Sequence, residues 1–105
     1  LNATTPVSWC AQGVYLSERP LFVLDPLWHA GAYYVQEASS MFIQYLLDQL
    51  NMHTTSIVLD LCAAPGGKST LLANWFNNGL VVANETIKGR NAILVENITK
   101  WGADK

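Results

Sequence analysis

The sequence lacks the features that would assign it at once to several large classes of protein. It has only two cysteines, Cys10 and Cys62, and no Cys/His cluster at metal-ligand spacing, which argues against a disulfide scaffold and against a metal site. No run of about 18 apolar residues could span a membrane, and the N-terminus has no export signal. We therefore expect a cytoplasmic chain with reduced thiols and no membrane partner.

The sequence also has no large excess of charge of either sign. Six basic and eight acidic side chains leave a net charge of −2, without the basic stripe that marks a nucleic-acid-binding surface. This argues against RNA or DNA binding by this stretch, although not by a longer protein that contains it. The chain begins at Leu1 rather than Met and stops just after a predicted helix end. At 105 residues, half of them apolar, we expect one small globular unit or a piece of a larger one.

A glycine is missing from the stretch that most resembles a phosphate-binding loop. "LDLCAAPGGKST" (59–70) ends in Gly-Lys-Ser, but the phosphate-loop signature requires a glycine where this chain has Cys62. Pro65 also removes a backbone N–H from the middle of the loop. A nucleoside triphosphate is therefore disfavoured, and another ligand of a strand-loop-helix site must be considered.

The periodicity of apolar residues predicts an α/β fold. Residues 1–35 carry proline and glycine at short intervals, which is typical of short strands and turns. Residues 37–50 predict an amphipathic helix, which Gln36, Glu37, Ser39 and Ser40 are expected to cap and start. Residues 56–62 predict a strand buried on both faces. A helix ended by Gly79, a strand over 80–84 and a helix over 87–101 follow. This order is typical of the first part of a doubly wound parallel sheet, preceded by a strand-and-turn segment (1–35) and occupying residues 36–105.

Two features of this sheet predict one ligand site. The loop after the first strand faces the ligand in such folds, and an acidic residue after the second strand accepts hydrogen bonds from ribose hydroxyls. Glu85 stands after the second predicted strand, and the distance from the loop is close to the usual value of about 20 residues. We therefore expect the loop and Glu85 to lie at the same edge of the sheet.

The chain resembles one protein family over about residues 30–102. The resemblance is carried by "LDLCAAPGGKST", "VVANE" and "GRNAILVENITKWG", and by "YYVQEASSM" (33–41) before them. This family is the Sun-type (Nol/Nop/Sun) group of RNA 5-methylcytosine methyltransferases, particularly its bacterial ribosomal-RNA branch. The resemblance implies a Rossmann-like sheet, S-adenosylmethionine as cofactor, and RNA as substrate, with ribosomal favoured over transfer RNA. It implies no catalytic residue in this chain, because the family's attacking cysteine follows Pro or Thr in a later segment, and neither dipeptide occurs here.

The resemblance also implies roles for individual residues. Small side chains in the loop would let the backbone approach the cofactor, Lys68 would meet its carboxylate, Glu85 would bind its ribose, and Arg90 would help hold the cofactor or Glu85. The implied cofactor-binding residues are Cys62, Ala63, Ala64, Pro65, Gly66, Gly67, Lys68, Glu85 and Arg90.

Purely structural roles remain open for several of these residues, as alternatives to cofactor binding. Cys62 is expected to be a small core residue at the end of a buried strand rather than a reactive thiol, and Lys68 and Glu85 could each be solvated charges. Trp75 and Trp101 are expected in the core, and His29 and His53 on the surface.

Three function classes therefore stay open: part of an RNA methyltransferase, part of a nucleotide-binding NTPase, or a non-catalytic scaffold. Open sheet edges and apolar faces also predict a homodimer of this chain.

Overall fold

The N-terminal segment is a small antiparallel hairpin. The computed structural model describes residues 3–102, and its first strands are β1 (Ala3–Pro6) and β2 (Val14–Leu16). Pro6 pairs with Val14, and the register shifts between Ala3 and Thr5. The Val7 N–H donates to the carbonyl of Gly13 at 2.9 Å and closes the connecting turn. The expected strands and turns are therefore present in the first half of this segment.

The second half of the segment is helical, which differs from the expectation. A 3-10 helix (Phe22–Leu24) leads into a one-turn helix, α1 (Pro26–His29). The reason is local, because Asp25 accepts a hydrogen bond from the Leu27 N–H at 2.9 Å and proline occupies the first helical position. His29 lies at the end of α1, exposed, as expected, with its Nε2 2.7 Å from the carbonyl oxygen of Val23.

The first long helix is shorter than predicted. α2 spans Phe42–Gln49, and its N-cap is Met41, which makes no side-chain capping bond. Residues 37–41 instead form turns, in which the N–H groups of Ser40 and Met41 donate to carbonyls three residues back. The prediction that Gln36, Glu37, Ser39 and Ser40 cap and start this helix is therefore wrong, because hydrogen bonds from residue i+3 to residue i replace the helical pattern there.

A parallel strand pair with one crossover helix forms the second half of the chain. β3 (Ile57–Asp60) and β4 (Leu80–Ala83) pair in parallel, with Ile57 opposite Leu80 and Asp60 opposite Ala83. The helix α3 (Gly67–Trp75) connects them, and α4 (Lys88–Trp101) follows and ends at Gly102 in the left-handed conformation. The coarse α/β prediction is confirmed.

Gly79 was predicted to cap α3, but it does not. The C-cap of α3 is Phe76, and Gly79 lies in the connecting turn, where its N–H donates to the Phe76 carbonyl at 2.9 Å. A Cβ at Gly79 would run into the backbone carbonyl oxygen of Ser56. Glycine is therefore needed here for the close approach of two chain segments.

One face of the parallel pair is open, which corrects the prediction of a strand buried on both faces. Ile57 and Leu59 on β3 are 78% and 56% exposed, and Leu80 and Val82 opposite them are 55% and 45% exposed. No helix within residues 3–102 covers this face, so the apolar run of β3 is buried from one side alone.

Two small cores hold the elements together. Val7, Cys10 and Leu71 join the N-terminal segment to α3, and Ala63, Ala64 and Leu94 join the β3–α3 loop to α4. Trp75 and Trp101, which we expected in the core, are only partly buried. Their indole N–H groups donate to Asp48 on α2 at 2.9 Å and to Asn74 on α3 at 3.2 Å, so they link helices.

Candidate functional site

The candidate site is built on the loop between β3 and α3. Ala63, Ala64 and Gly66 are buried, and Gly66, the N-cap of α3, has φ of 122°. A Cβ at Gly66 would lie 3.5 Å from Leu94 and Asn97, which is an ordinary contact. Glycine is therefore required at this position by the backbone conformation and not by a lack of space.

Side chains from the residue after β4 and from α4 fix the carbonyl groups of this loop. Asn84 Nδ2 donates to the carbonyl of Leu61 at 3.1 Å, Arg90 Nη2 to that of Ala64 at 3.0 Å, and Asn97 Nδ2 to that of Pro65 at 2.7 Å. The Ala63 N–H donates in turn to the Asn84 carbonyl at 2.9 Å. The loop is thus held in one conformation by residues that come much later in the chain.

Glu85 lies against the same loop. Its Oε1 accepts a hydrogen bond from the Ala64 N–H and its Oε2 accepts one from the Ile87 N–H, both at 3.2 Å. Each carboxylate oxygen can accept a second hydrogen bond, so Glu85 keeps acceptor capacity for a ligand. The structure therefore brings Glu85 and the loop together at the carboxyl ends of β3 and β4.

The first turn of α3 has no side-chain cap. An uncapped helix start leaves backbone N–H groups without partners and carries partial positive charge, which favours an anionic group. Lys68 in this turn is exposed and makes no hydrogen bond or ion pair within residues 3–102. The next two residues face inwards, because the Ser69 hydroxyl donates to Asp60 at 2.7 Å and the Thr70 hydroxyl to the Gly67 carbonyl at 2.9 Å.

The structure corrects the expectation for Cys62 and one of the two alternatives for Arg90. Cys62 is exposed, not buried, because β3 ends at Asp60 and the chain has already turned outwards at position 62. Arg90 bonds the loop carbonyl of Ala64, and no ion pair with Glu85 forms in the described part of the chain. Cys62 therefore has no packing role, and Arg90 acts on the backbone of the loop.

Sequence reasoning missed several residues of the site. Asp60 could have been found, since it is a carboxylate at the end of a predicted strand, but Asn84, Asn97 and Gln36 have no local signature. A Cβ at Gly67 would lie 3.0 Å from Gln36 Oε1 and 3.3 Å from Tyr34 Cε1, so these side chains rest against the start of α3. Burial raises the pKa of the Tyr34 phenol above its ordinary value.

The arrangement suits a ligand with one anionic group and neighbouring hydroxyls. The start of α3 and Lys68 attract the anion, and Glu85 accepts hydrogen bonds. Within residues 3–102, no group of three or more His, Cys, Asp or Glu side chains could hold a metal ion, and no helix is long and apolar enough to cross a membrane.

Two family models match the chain. Residues 1–38 match the N-terminal domain of 16S rRNA methyltransferase RsmF, and residues 47–105 match 16S rRNA methyltransferase RsmB/F.

Curated proteins are similar over nearly the whole chain. Ribosomal RNA small subunit methyltransferase F of Shewanella frigidimarina is 41% identical over 102 residues, covering 94% of this chain and 21% of the relative. The Vibrio cholerae protein of the same name is 41% identical over 104 residues (93% and 21%), and that of Erwinia tasmaniensis 37% over 107 (95% and 22%). The chain thus spans about a fifth of the length of the curated relatives it matches.

Proposed function

Because the chain belongs to the 16S rRNA methyltransferase RsmB/F family, we propose that it forms the S-adenosylmethionine-binding part of an RNA cytosine-C5 methyltransferase. The observation that carries this proposal is the contact between the β3–α3 loop and Glu85 at the carboxyl ends of two parallel strands. Residues 36–105 would be the first part of a Rossmann-like domain, and residues 1–35 a separate N-terminal segment.

Each site residue has a role in this proposal. Lys68 and the start of α3 would bind the cofactor's carboxylate, and Glu85 would accept hydrogen bonds from its ribose. The small residues Cys62, Ala63, Ala64, Pro65, Gly66 and Gly67 would let the backbone approach the ligand. Arg90 would act indirectly by holding the Ala64 carbonyl at 3.0 Å. The cofactor, when bound, supplies an electrophilic methyl group on sulfur, and the chain's contribution is to position it.

Bond making at cytosine is assigned to residues outside this chain. Methylation at C5 requires a nucleophile that first adds to the ring, and a correctly placed thiolate can do this reversibly. Cys10 is buried, and Cys62 lies in the β3–α3 loop, which is the proposed cofactor loop, so neither is placed for that role. The names of the relatives favour ribosomal RNA as the substrate, which would place the reaction in the cytoplasm. The open apolar face of β3 and β4 would support a homodimer of the chain as it stands.

Titration with S-adenosylhomocysteine and, separately, with ATP tests the cofactor assignment. We expect S-adenosylhomocysteine to shift the NMR signals of the Gly66 to Ser69 amides, and ATP to leave them unchanged. Selective binding of ATP would favour the NTPase class, and binding of neither would favour a scaffold.

Two lysines provide a matched pair of variants. Lys68 lies in the first turn of α3 and Lys88 in the first turn of α4, and both are exposed. Loss of a charge-assisted hydrogen bond should weaken S-adenosylhomocysteine binding about tenfold or more in Lys68→Gln and not in Lys88→Gln. Equal affinities of the two variants would contradict the role of Lys68.

A further inference from the structure

A second concave site lies between the N-terminal segment and α3, next to the β3–α3 loop but lined by other residues. It is a cavity of about 730 Å³, within the range of about 300 to 1,000 Å³ that is usual for small-molecule sites. The turn before β2, β2 itself, residues 33–36 and one face of α3 form its walls. Its floor is the apolar cluster of Val7, Cys10 and Leu71.

Four amide side chains are among the polar groups of the cavity. Gln12, Gln36, Gln44 and Asn74 all line it. Gln44 Oε1 accepts from the Cys10 thiol at 3.4 Å, and Asn74 Oδ1 accepts from the Trp101 indole at 3.2 Å. The amide N–H groups of Gln44 and Asn74 have no partner within residues 3–102, so they can donate to a ligand. Glu18 and Arg19, one charge of each sign, give the cavity no net charge.

Aromatic rings complete the walls. Tyr33, Tyr34 and Trp101 line the cavity and are each partly buried. Partial burial and the hydrogen bond that Tyr33 donates to Asp25 at 2.7 Å raise the pKa of the Tyr33 phenol to about 12, so both tyrosines stay neutral near neutral pH. An apolar floor, flat rings and uncharged amides together favour a planar, neutral ligand that has both donors and acceptors on its edge.

We propose that this cavity receives an unpaired nucleobase of an RNA strand. A nucleobase offers a flat face for the aromatic rings and an edge that a glutamine or asparagine amide can pair with. RNA as the source of the base rests on the function proposed above. Tyr34 and Gln36 line the cavity and also lie against Gly67, so a base held there would keep the strand beside the cofactor loop. Because the chain's net charge is −2, the base rather than the phosphates would supply the affinity.

NMR titration of the 105-residue chain tests the proposal. The probes are cytidine, adenosine and a short single-stranded oligoribonucleotide, with ribose 5-phosphate as a control that lacks a base. We expect the nucleosides and the oligoribonucleotide to shift the amides of Gly13, Tyr34 and Leu71. We expect ribose 5-phosphate to leave them unchanged.

A matched pair of glutamines on α2 tests the amide contact. Gln44 lines the cavity, whereas Gln49 is exposed at the other end of the helix and does not. Gln44→Leu should raise the dissociation constant for the nucleoside about two- to tenfold, and Gln49→Leu should not change it. Should Gln44→Leu fail to fold, the comparison of cytidine with ribose 5-phosphate on the unaltered chain still decides the outcome.

Several results would overturn the inference. Equal shifts with ribose 5-phosphate would exclude base recognition, and equal affinities of the two glutamine variants would exclude the amide contact. Binding of nucleosides that the oligoribonucleotide cannot displace would exclude RNA as the source. Shifts of the Gly66 to Ser69 amides by S-adenosylhomocysteine, without any nucleobase effect in the cavity, would overturn this inference and leave the proposed cofactor role standing.

Discussion

Replacing Gly66 with alanine should destabilise the chain through the backbone alone. Gly66 has φ of 122° and ψ of 3°, a conformation that residues with a Cβ rarely adopt. The added methyl group would meet Leu94 and Asn97 at 3.5 Å, so steric clash contributes little. The expected cost is therefore the conformational one, about 1 to 3 kcal/mol.

Gly89 provides the matched control. It lies in the first turn of α4, where an added Cβ has no neighbour within 4 Å. Because alanine loses less conformational freedom than glycine on forming a helix, Gly89→Ala should stabilise the chain by about 0.5 to 1 kcal/mol. The same change from glycine to alanine should thus lower the stability of the chain at position 66 and raise it at position 89.

Thermal unfolding followed by circular dichroism measures both variants. For a domain of this size, each kcal/mol corresponds to a shift in melting temperature of about 4 to 8 °C. Gly66→Ala should therefore melt clearly below the unaltered chain and Gly89→Ala above it. If Gly66→Ala melts at or above the temperature of the unaltered chain, the loop does not need a residue with positive φ at this position, and the backbone argument is refuted. The same variant should also weaken S-adenosylhomocysteine binding, because the N-cap of α3 is displaced.

Three other predictions follow from the described geometry. A thiol reagent should label exposed Cys62 quickly and buried Cys10 only on unfolding, and Cys62→Ser should remove the fast phase; one slow phase would place Cys62 in the core after all. The Tyr33 phenol should titrate near pH 12 when tyrosinate absorbance is followed, and its contribution to the stability of the fold should be lost as pH rises from 10 through about 12. Asp25→Asn should lower this pKa, and an unchanged pKa would exclude the hydrogen bond as a cause. With methyl-labelled cofactor and total RNA, this chain should transfer no label, and label that disappears in Cys62→Ala would reverse the assignment of that residue.

The helix and strand types of the second half were predictable because they depend on local properties. The apolar stripes of α3 and α4 have the helical period, and the apolar runs 56–62 and 80–84 have the length of strands. Gly102 ends α4 in the left-handed conformation, and this preference belongs to glycine itself. The order strand, helix, strand then placed the loop and Glu85 at one edge, because parallel strands share their carboxyl ends.

The predictions were wrong where competing local interactions decide the backbone conformation, or where neighbouring elements decide which residues are buried. Asp25 and Pro26 start a helical turn in a segment where closely spaced proline and glycine predicted short strands and turns. The exposure of Ile57 could not be read from its apolar neighbours, because burial depends on which helix covers a face.

By itself, the sequence determined which chain segments are helices and strands in the second half and which motif carries the family resemblance. These are properties of adjacent residues, and periodicity and glycine placement report them directly. Only the tertiary structure decided that Asn84, Arg90 and Asn97 hold the loop carbonyls, that Cys62 points outwards, and that Gln36 and Tyr34 rest against Gly67. Those contacts join residues far apart in the chain, and their geometry exists only after α3 and α4 have packed beside the strand pair.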